Sequence, residues 1–237
     1  MLDDFFNFIA VPDFLKPEFL KDDWYMVLAN SRMILSEQIT ETKLLSEGKN
    51  LSINGKVYIG ANCTIGENVV IDGPVYICDG VEIGPGAYIR PGSVIGKDCS
   101  IAHAAQVKNS IMMDGSKIAN HCLLADSIIG KNARIGGHCE TSNRRFDQSE
   151  IQFIYKEQKL NTGLDKLGLI LGESARLGGG VLSAPGTMIG KKTFIGAMTF
   201  IYGYVAPGQF VKTEATLKTV PNNFSGELKH TEIFERA

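Results

Sequence analysis

Residues 53–112 read INGKVYIGANCTIGENVVIDGPVYICDGVEIGPGAYIRPGSVIGKDCSIAHAAQVKNSIM. In this stretch an aliphatic residue returns at every sixth position, and a small or β-branched residue follows it four places later. The aliphatic positions are Ile53, Ile59, Ile65, Ile71, Ile77, Ile83, Ile89, Ile95, Ile101 and Val107. A helix repeats every 3.6 residues and an ordinary strand every two, so neither produces a strict period of six. The repeating unit is therefore a short strand followed by a corner.

A single six-residue unit is too short to bury its own apolar side chains. Stacked coils bury them jointly, and each interior isoleucine then contributes about 1.5–3 kcal/mol. Turn-forming residues separate the aliphatic positions, as in IGENVV, IDGPVY and IRPGSV. The spacing therefore predicts a solenoid of parallel strands around a hydrophobic interior.

The repeat continues past Val107, but two five-residue steps there mean that a coil has 17 residues rather than 18. It stops over 141–168, a charged and aromatic excursion loop with a possible hairpin, and it resumes at Leu171. Excursions of this length inside a compact repeat are usually functional. We therefore divide the chain into a helical arm (1–50), a repeat domain (51–211) and a C-terminal tail (212–237), which we expect to cap the last coil or pack along the solenoid.

The arm has no hexapeptides. Its apolar residues have helical spacing, which predicts two or three short helices broken by Pro12 and Pro17. We interpret it as a capping or assembly arm that packs on the first coil or on a neighbouring subunit. The apolar residues expected to pack are Phe5, Phe6, Phe8, Ile9, Trp24, Leu28, Met33 and Leu35.

Composition excludes several classes of function. The net charge is −2, so no basic surplus points to nucleic acid. No apolar run approaches the ~18 residues of a membrane span, and the N-terminus opens with acids, which predicts a cytoplasmic protein. Cys63, Cys99, Cys122 and Cys139 occupy the small interior position of the repeat, which favours reduced core thiols over disulfides or a metal site.

Residues 18 apart are expected to stand above one another, because adjacent coils stack about 4.8 Å apart. Arg90 and Lys108 form such a pair. Two stacked cations repel each other unless an anion lies between them, and a phosphate fits that requirement. The alternative is a solvated surface column in which Asp72, one coil below Arg90, supplies the counter-charge.

Three histidines form a second column. His103, His121 and His138 follow one another at spacings of 18 and 17, which places them on equivalent corners of successive coils. They could converge on a metal, one imidazole could act as a general base, or the column could bind nothing.

The hexapeptide pattern resembles that of the hexapeptide-repeat acyltransferases. This resemblance implies an all-β, left-handed parallel β-helix with three strands per coil, here of about six or seven coils. Further segments are similar to the C-terminal acetyltransferase region of bifunctional sugar-1-phosphate nucleotidylyltransferase/acetyltransferases, which form UDP-N-acetylglucosamine. The similar segments are IGPGAYIRPGSVIG, VKNSIMMDGSKIANHCLLADSIIG, SNRRFDQSEIQ and LDKLGLILGESARLGGGVLSAPGTMIG. The similarity covers about residues 24–210, without the nucleotidylyltransferase domain.

The resemblance assigns roles to particular residues. Arg90 and Lys108 would hold the sugar phosphate, while Asn143 and Arg145 on the excursion would shape the pocket. Acetyl-CoA, the cosubstrate, would run along the groove between subunits of a homotrimer, past Gly179 and Ala197. No residue is assigned to a metal.

The catalytic positions depart from the family. The family's base histidine falls on Asn120, which we take as a substrate contact, and its tyrosine falls on Leu123. His121, one residue further, is therefore the candidate base. The remaining departures are Ser149 and Gln152 in place of two loop lysines, and Arg134 in place of a pocket asparagine.

Three functions follow from these observations. The first is a CoA-dependent acyltransferase acting on an amino-sugar phosphate or nucleotide sugar. The second is a non-catalytic sugar-phosphate-binding or assembly protein that has lost the family's base. The third is a metal site resembling that of the γ-class carbonic anhydrases, whose histidine spacing differs from the spacing found here.

Overall fold

The computed structural model describes residues 1–7, 9–19 and 21–221. Phe8 of the predicted apolar set and residues 222–237 of the predicted tail lie outside the described residues. Within the described part of the chain, no helix has the length and apolar character needed to cross a membrane.

The repeat domain is a left-handed parallel β-helix whose coils each contribute one strand to three sheets. Sheet A contains β1 (Lys43–Leu44), β3 (Val57–Ile59), β6 (Val75–Ile77), β9 (Ser93–Ile95), β12 (Ile111–Met112), β15 (Ile128–Ile129), β20 (Leu169–Leu171), β23 (Thr187–Ile189) and β26 (Tyr204–Val205). Sheet B contains β4 (Thr64–Ile65), β7 (Glu82–Ile83), β10 (Ser100–Ile101), β13 (Lys117–Ile118), β16 (Arg134–Ile135), β21 (Arg176–Leu177), β24 (Phe194–Ile195) and β27 (Phe210–Val211). Sheet C contains β2 (Ser52–Asn54), β5 (Val70–Asp72), β8 (Tyr88–Ile89), β11 (Gln106–Lys108), β14 (Leu123–Ala125), β17 (Glu140–Thr141), β22 (Leu182–Ser183) and β25 (Phe200–Ile201).

The six-residue period is confirmed by the pairing register. Ile71 pairs with Ile89, three hexapeptides later, and Ile101 pairs with Ile118, which comes one residue earlier than three hexapeptides would place it, as the shortened coil requires. The aliphatic positions point inward and form one continuous core along the helix axis. Cys99, Cys122 and Cys139 belong to that core, Cys63 packs against it, and all five cysteines are free thiols.

The predicted count of six or seven coils is too low. Sheet A has nine strands and sheets B and C have eight each, which corresponds to about nine turns. One extra strand is β1, which pairs with β3 in parallel although Lys43 and Leu44 precede the first hexapeptide. Backbone hydrogen bonds extend the sheet at β1 although the sequence there lacks the six-residue period. The number of coils was predicted by counting that period, so this strand was missed.

The arm forms short helices, as predicted. Three 3-10 helices (Leu2–Asp4, Asp13–Leu15 and Trp24–Met26) accompany α1 (Lys16–Phe19) and α2 (Val27–Gln38). Pro17, however, lies inside α1 and does not break it. A proline is tolerated in the first turn of a helix because the amide hydrogens there have no helical acceptor.

The arm covers the outer face of sheet A, rather than the end of the first coil. Its aromatic side chains form a second hydrophobic core with Val94, Ile111 and Met188, which point outward from sheet A. The backbone amide of Lys191 donates to the carbonyl of Asp4 (2.9 Å), and Lys56 Nζ donates to the carbonyl of Ser36 (2.8 Å). The arm therefore runs the length of the β-helix, from its last coils to its first.

One residue of the predicted apolar set is misplaced. Met33 is 58% exposed, whereas Leu28, Ser31 and Leu35 of α2 are buried. Ser31 and Leu35 follow Leu28 by three and seven residues, so the three side chains share one face of the helix. Met33 lies on the opposite face. Phe5, Phe6 and Trp24 are buried as expected.

The excursion contains the predicted hairpin. Strands β18 (Gln152–Tyr155) and β19 (Gln158–Asn161) pair in the antiparallel sense. Ile151, Phe153 and Leu167 are buried in the core between the arm and sheet A. The excursion is therefore held against the same face of the β-helix as the arm.

Candidate functional site

Two corners at opposite ends of sheet C carry the predicted site residues. We call the turn from sheet C to sheet A the clamp corner; its residues are Asp72, Arg90, Gly92, Lys108, Asn109, Asp126 and Asn143. We call the turn from sheet B to sheet C the imidazole corner; its residues are 102–104, 119–121, 136–138, 178–180 and 196–198.

Arg90 and Lys108 lie on neighbouring coils at the clamp corner, as predicted. The amide of Arg90 donates to the carbonyl of Val107 at 2.8 Å, next to Lys108. The Arg90 guanidinium stacks over the Tyr88 ring, with its central carbon 5.6 Å from the ring centroid. Arg90 and Lys108 thus occupy equivalent positions on adjacent coils. The side chain of Arg90 lies over sheet C.

Asp72 lies one coil below Arg90 in the same column. It accepts hydrogen bonds from the Tyr88 hydroxyl and from Asn54 Nδ2 (2.8 Å). These hydrogen bonds, the first from Tyr88, hold the pKa of Asp72 below its usual range, and the charge of Arg90 adds a smaller effect in the same direction. The counter-charge expected for a surface column is therefore present below Arg90.

Lys108 has a carboxylate partner that was not predicted. Its Nζ lies 3.3 Å from Asp126 Oδ2, and the two side chains are only 20% and 6% exposed. Asp126 also accepts hydrogen bonds from Asn109 Nδ2 (2.7 Å) and from Asn143 Nδ2. A nearly buried carboxylate with three donors is well satisfied, and it holds Lys108 and Asn143 next to each other.

The register could have revealed Asp126, since the shortened coil places it in one column with Asn109, the residue after Lys108. Asn143 follows Asp126 at the interval of the shortened coil and is thus also in the column. The spacing does not show whether a corner is buried. A charged residue on a predicted corner is therefore expected to be exposed to solvent unless the segment that covers the corner is known.

That covering element is the arm, together with the excursion. A cavity of about 250 Å³ lies between α2 and the clamp corner. It is lined by Leu28, Ala29, Arg32, Lys108, Asn109, Asp126, Leu164, Asp165 and Lys166. A larger cavity of about 570 Å³, beside Tyr76 and under residues 9–16 of the arm, contains none of the predicted site residues.

The three histidines stack at the imidazole corner, and all three are exposed. The ring centroids of His103 and His121 are 5.2 Å apart, and those of His121 and His138 are 5.1 Å apart. The strand register places His103 below Asn120 and Ala104 below His121, so His103 is offset by one residue from His121. His103 Nδ1 lies 2.8 Å from the carbonyl of Pro85, which orients its ring. Among the described residues, no group of histidine, cysteine, aspartate and glutamate side chains could hold a metal ion.

Gly179 and Ala197 lie on the same corner as the histidines, on later coils, and both are exposed. A Cβ at Gly179 would approach only the carbonyl of Gly137, at 3.4 Å, whereas one at Gly178 would lie 2.5 Å from the amide of Ala197. Tight stacking therefore requires glycine at 178 but not at 179. The absence of a side chain at Gly179 keeps the corner above the histidines open.

Arg145 lies apart from Lys108 and Asn143. Its guanidinium binds Asp147 (2.8 Å) and Ser149 Oγ (2.8 Å) on the same loop, and the pairing with Asp147 raises its pKa. It lines a cavity of about 530 Å³ with Phe146 and with Phe200 of sheet C. The structure thus brings Arg90, Lys108 and Asn143 to one corner and places Arg145 in an adjoining pocket.

Sheet C separates the two corners within one chain. His121 precedes Asp126 by five residues, which corresponds to about 16 Å along an extended strand. A monosaccharide phosphate is shorter than this separation. One such molecule therefore cannot contact both corners of a single chain unless long side chains reach far toward it.

Comparison with known proteins agrees with this architecture. Residues 71–182 match the family model described as the GMPPB C-terminal domain. A bifunctional GlmU protein of Methanococcus aeolicus is 36% identical over 128 residues, which are 53% of this chain and 31% of that protein. The putative uncharacterized acetyltransferase YaiX of Escherichia coli K12 is 34% identical over 126 residues, which are 53% of this chain and 55% of the relative.

These matches cover less than two thirds of each relative. A solved hexapeptide transferase family protein from Anaplasma phagocytophilum is 16% identical, with a TM-score of 0.40; the alignment covers 66% of this chain and 75% of that one. In sequence, the repeat domain is similar to the GlmU-type bifunctional proteins and to the GMPPB C-terminal domain, as its resemblance to the acetyltransferase region of the bifunctional enzymes implied.

Proposed function

We propose that this protein is a CoA-dependent acyltransferase that transfers an acetyl group to the amine of an amino-sugar phosphate or nucleotide sugar. The observation that carries this proposal is the arrangement of sheet C. Stacked cations lie at one end of the sheet, and exposed imidazoles below an open Gly179 lie at the other. The names of the relatives, which include acetyltransferases, support the same chemistry.

The clamp corner binds the phosphate in this proposal. Arg90 and Lys108 supply two positive charges on adjacent coils, and Asn143 offers its amide beside Lys108. Charge-assisted hydrogen bonds from arginine and lysine are the strong contacts that phosphate groups make in proteins. Asp126 keeps Lys108 and Asn143 together in the absence of ligand. Arg145 lines the adjoining pocket, and Asn120 contacts the substrate at the imidazole corner.

The imidazole corner supplies the base. The amide of Asn120 cannot act as a general base, whereas an imidazole such as that of His121 can. The substrate amine attacks the thioester carbonyl of acetyl-CoA, His121 removes a proton from that nitrogen, and the CoA thiolate leaves as the amide forms. Acetyl-CoA is the cosubstrate, and it passes Gly179 and Ala197, where the surface has no large side chain.

The proposal includes a homotrimer, and the separation of the two corners supports an assembly of more than one copy. Since about 16 Å of sheet C lies between them, the phosphate and the reacting amine of one small substrate are held by different copies of the chain. Exposed Phe194, Met198 and Phe200 flank the imidazole corner and offer apolar surface for such a contact. We place this assembly in the cytoplasm.

Turnover tests the proposal directly. Acetyl-CoA consumption is measured with glucosamine 1-phosphate and a panel of other amino sugars, using wild type, His121→Ala and His103→Ala. We expect His121→Ala to lower kcat by about 10²–10⁴-fold, the usual contribution of a general base. His103→Ala is the matched control on the same column and should remain close to wild type.

The other outcomes separate the alternatives. Turnover that survives His121→Ala removes this histidine from the mechanism. No turnover with any amine, together with saturable sugar-phosphate binding, favours the non-catalytic binder. A stoichiometric metal in elemental analysis favours the third function. Arg90→Ala combined with Lys108→Ala should abolish sugar-phosphate binding, whereas Lys117→Ala on sheet B should not.

A further inference from the structure

Helix α2 is anchored on the clamp corner by polar contacts. Ser31 Oγ donates to Asn109 Oδ1 (3.0 Å), and Asn109 Nδ2 donates to the carbonyl of Leu28 (3.2 Å). The turn at Gly92 lies under the same helix, since a Cβ there would be 3.0 Å from Arg32 Cγ. The stem of Arg32 is therefore packed against the turn that follows Arg90.

These contacts leave the 250 Å³ cavity between α2, the clamp corner and the excursion. Three cationic side chains from three different segments line it: Arg32 from the arm, Lys108 from sheet C and Lys166 from the excursion. Its volume lies just below the usual range for drug-sized ligands, which suits a phosphate or a sugar phosphate.

The charges around this cavity are not balanced. Lys108 is paired with Asp126, and Asp165 lies 3.8 Å from Arg144. Among residues 1–7, 9–19 and 21–221, no carboxylate lies within ion-pair distance of Arg32 or Lys166. Arg32 and Lys166, which take part in no ion pair among these residues, therefore share one cavity with the partly buried Lys108 and with two carboxylates, Asp126 and Asp165, that are engaged elsewhere. An anion between them would remove their mutual repulsion.

We propose that this cavity is a phosphomonoester site in which Arg32 and Lys166 bind the phosphate oxygens together with Lys108. The arm is then part of the binding site and not only a cover for sheet A. The inference rests on the proposed function only for the sugar attached to the phosphate; the anion site itself follows from the cavity and its charges.

Calorimetric titration of the full chain tests this site. The probes are inorganic phosphate and glucosamine 1-phosphate, each titrated into wild type, Arg32→Ala, Lys166→Ala and the double variant. Because a hydrogen bond to a charged group typically changes affinity by about tenfold, we expect about that loss for each single variant and a larger loss for the double variant. Both side chains are exposed at the cavity mouth, so neither truncation should unfold the chain.

Two further variants control for charge and chemistry. Lys159→Ala removes one positive charge from an exposed position of the same excursion and should leave phosphate affinity unchanged. Arg32→Lys keeps the charge but loses the planar guanidinium, and should recover part of the affinity that Arg32→Ala loses. Rising salt should weaken the binding of both probes.

The outcomes are decisive for the inference. Wild type that binds no phosphate at millimolar concentration overturns it, and so does wild-type affinity in the Arg32→Ala, Lys166→Ala double variant. Loss of binding in the double variant, with Lys159→Ala unaffected, supports it. Absence of acetyl transfer combined with that pattern contradicts only the proposed function. Tighter binding of glucosamine 1-phosphate than of phosphate shows that the site also contacts the sugar.

Discussion

The clamp corner and the imidazole corner are built from the same hexapeptide repeat, yet they differ in what covers them. At the clamp corner, α2 and the excursion close over Lys108 and Asp126, so a carboxylate is nearly buried and fully hydrogen-bonded. At the imidazole corner, His121 and His138 are exposed on left-handed turn positions. The backbone conformation is equivalent at the two corners, but the clamp corner is shielded from water and the imidazole corner is not.

This contrast shows how a repeat acquires function. Each coil places side chains at a fixed height and angle around the β-helix. Polar and charged interactions between those side chains become strong only where another segment of protein shields them from water. The clamp corner is organised before a ligand binds, because Asp126 holds Lys108 and Asn143. The imidazole corner is open, and in the proposed trimer a second copy of the chain completes it.

The strongest test of this contrast concerns stability. Asp126→Ala removes one partner of a nearly buried ion pair and leaves Lys108, Asn109 and Asn143 without their acceptor. We expect the free energy of unfolding in urea to fall by about 3 kcal/mol. His138→Ala, at the exposed corner, should change it by no more than about 0.5 kcal/mol. Equal effects of the two substitutions would contradict the distinction between a closed and an open corner.

A pair of glycine substitutions probes the same distinction through sterics. Gly92 has φ +84°, and an added Cβ would overlap Asn109 Oδ1, so Gly92→Ala should destabilise the fold by about 2 kcal/mol. Gly179→Ala meets no such obstacle and should stay within about 0.5 kcal/mol of wild type. The second variant should instead raise the KM for acetyl-CoA, because its methyl group enters the proposed groove.

Thermal and urea unfolding measure the first effect, and steady-state kinetics measure the second. An unfolded Gly179→Ala protein would show that the imidazole corner is also sterically closed. Normal stability of Gly92→Ala would show that α2 does not press on the turn after Arg90.

A pH dependence at the clamp corner is the weakest of the expected effects. The hydrogen bond from Tyr88 lowers the pKa of Asp72 in the folded state. The ionised Asp72 therefore contributes to the free energy of unfolding above the unfolded pKa of about 3.9, and this contribution is lost as the pH falls through the lower pKa of the folded state. Since Asp72 is only partly buried and solvent screens its interactions, we expect no more than about 0.5 kcal/mol of the free energy of unfolding.

Tyr88→Phe removes the donor and provides the control. An NMR titration should show the pKa of Asp72 returning toward its ordinary value in this variant, and the acid loss of stability should shrink with it. An unchanged titration would show that Asn54 and Arg90, rather than the Tyr88 hydroxyl, lower this pKa.

Much of the β-helix was predictable because it depends on the six-residue period of the sequence. The interior position of Ile89, the shortened coil that pairs Ile101 with Ile118, and the stacking of Arg90 on Lys108 all follow from spacing. The hairpin at Gln152–Tyr155 was also predicted from the interruption of the repeat. In each case the residues involved are close in sequence or separated by a constant interval.

The path of the arm and the burial of Asp126 were not predictable in this way. Arg32 and Lys166 reach one cavity although they belong to distant segments of the chain, and no period relates them. β1 joined sheet A through backbone hydrogen bonds that leave no side-chain pattern. Met33 was assigned to the packed face of α2 together with Leu28 and Leu35, but only Leu28 and Leu35 are buried.

The order of amino acids is enough to specify the repeating coil, its register and the column in which Arg90 and Lys108 stand, because a constant interval of isoleucines is buried only when coils of equal length stack on one another. Which of those charges lies under a helix, and which histidines remain in water, became known only from the folded chain. The cause is that burial of a corner depends on the segment laid across it, and α2 reaches the clamp corner through packing contacts that carry no periodic signature.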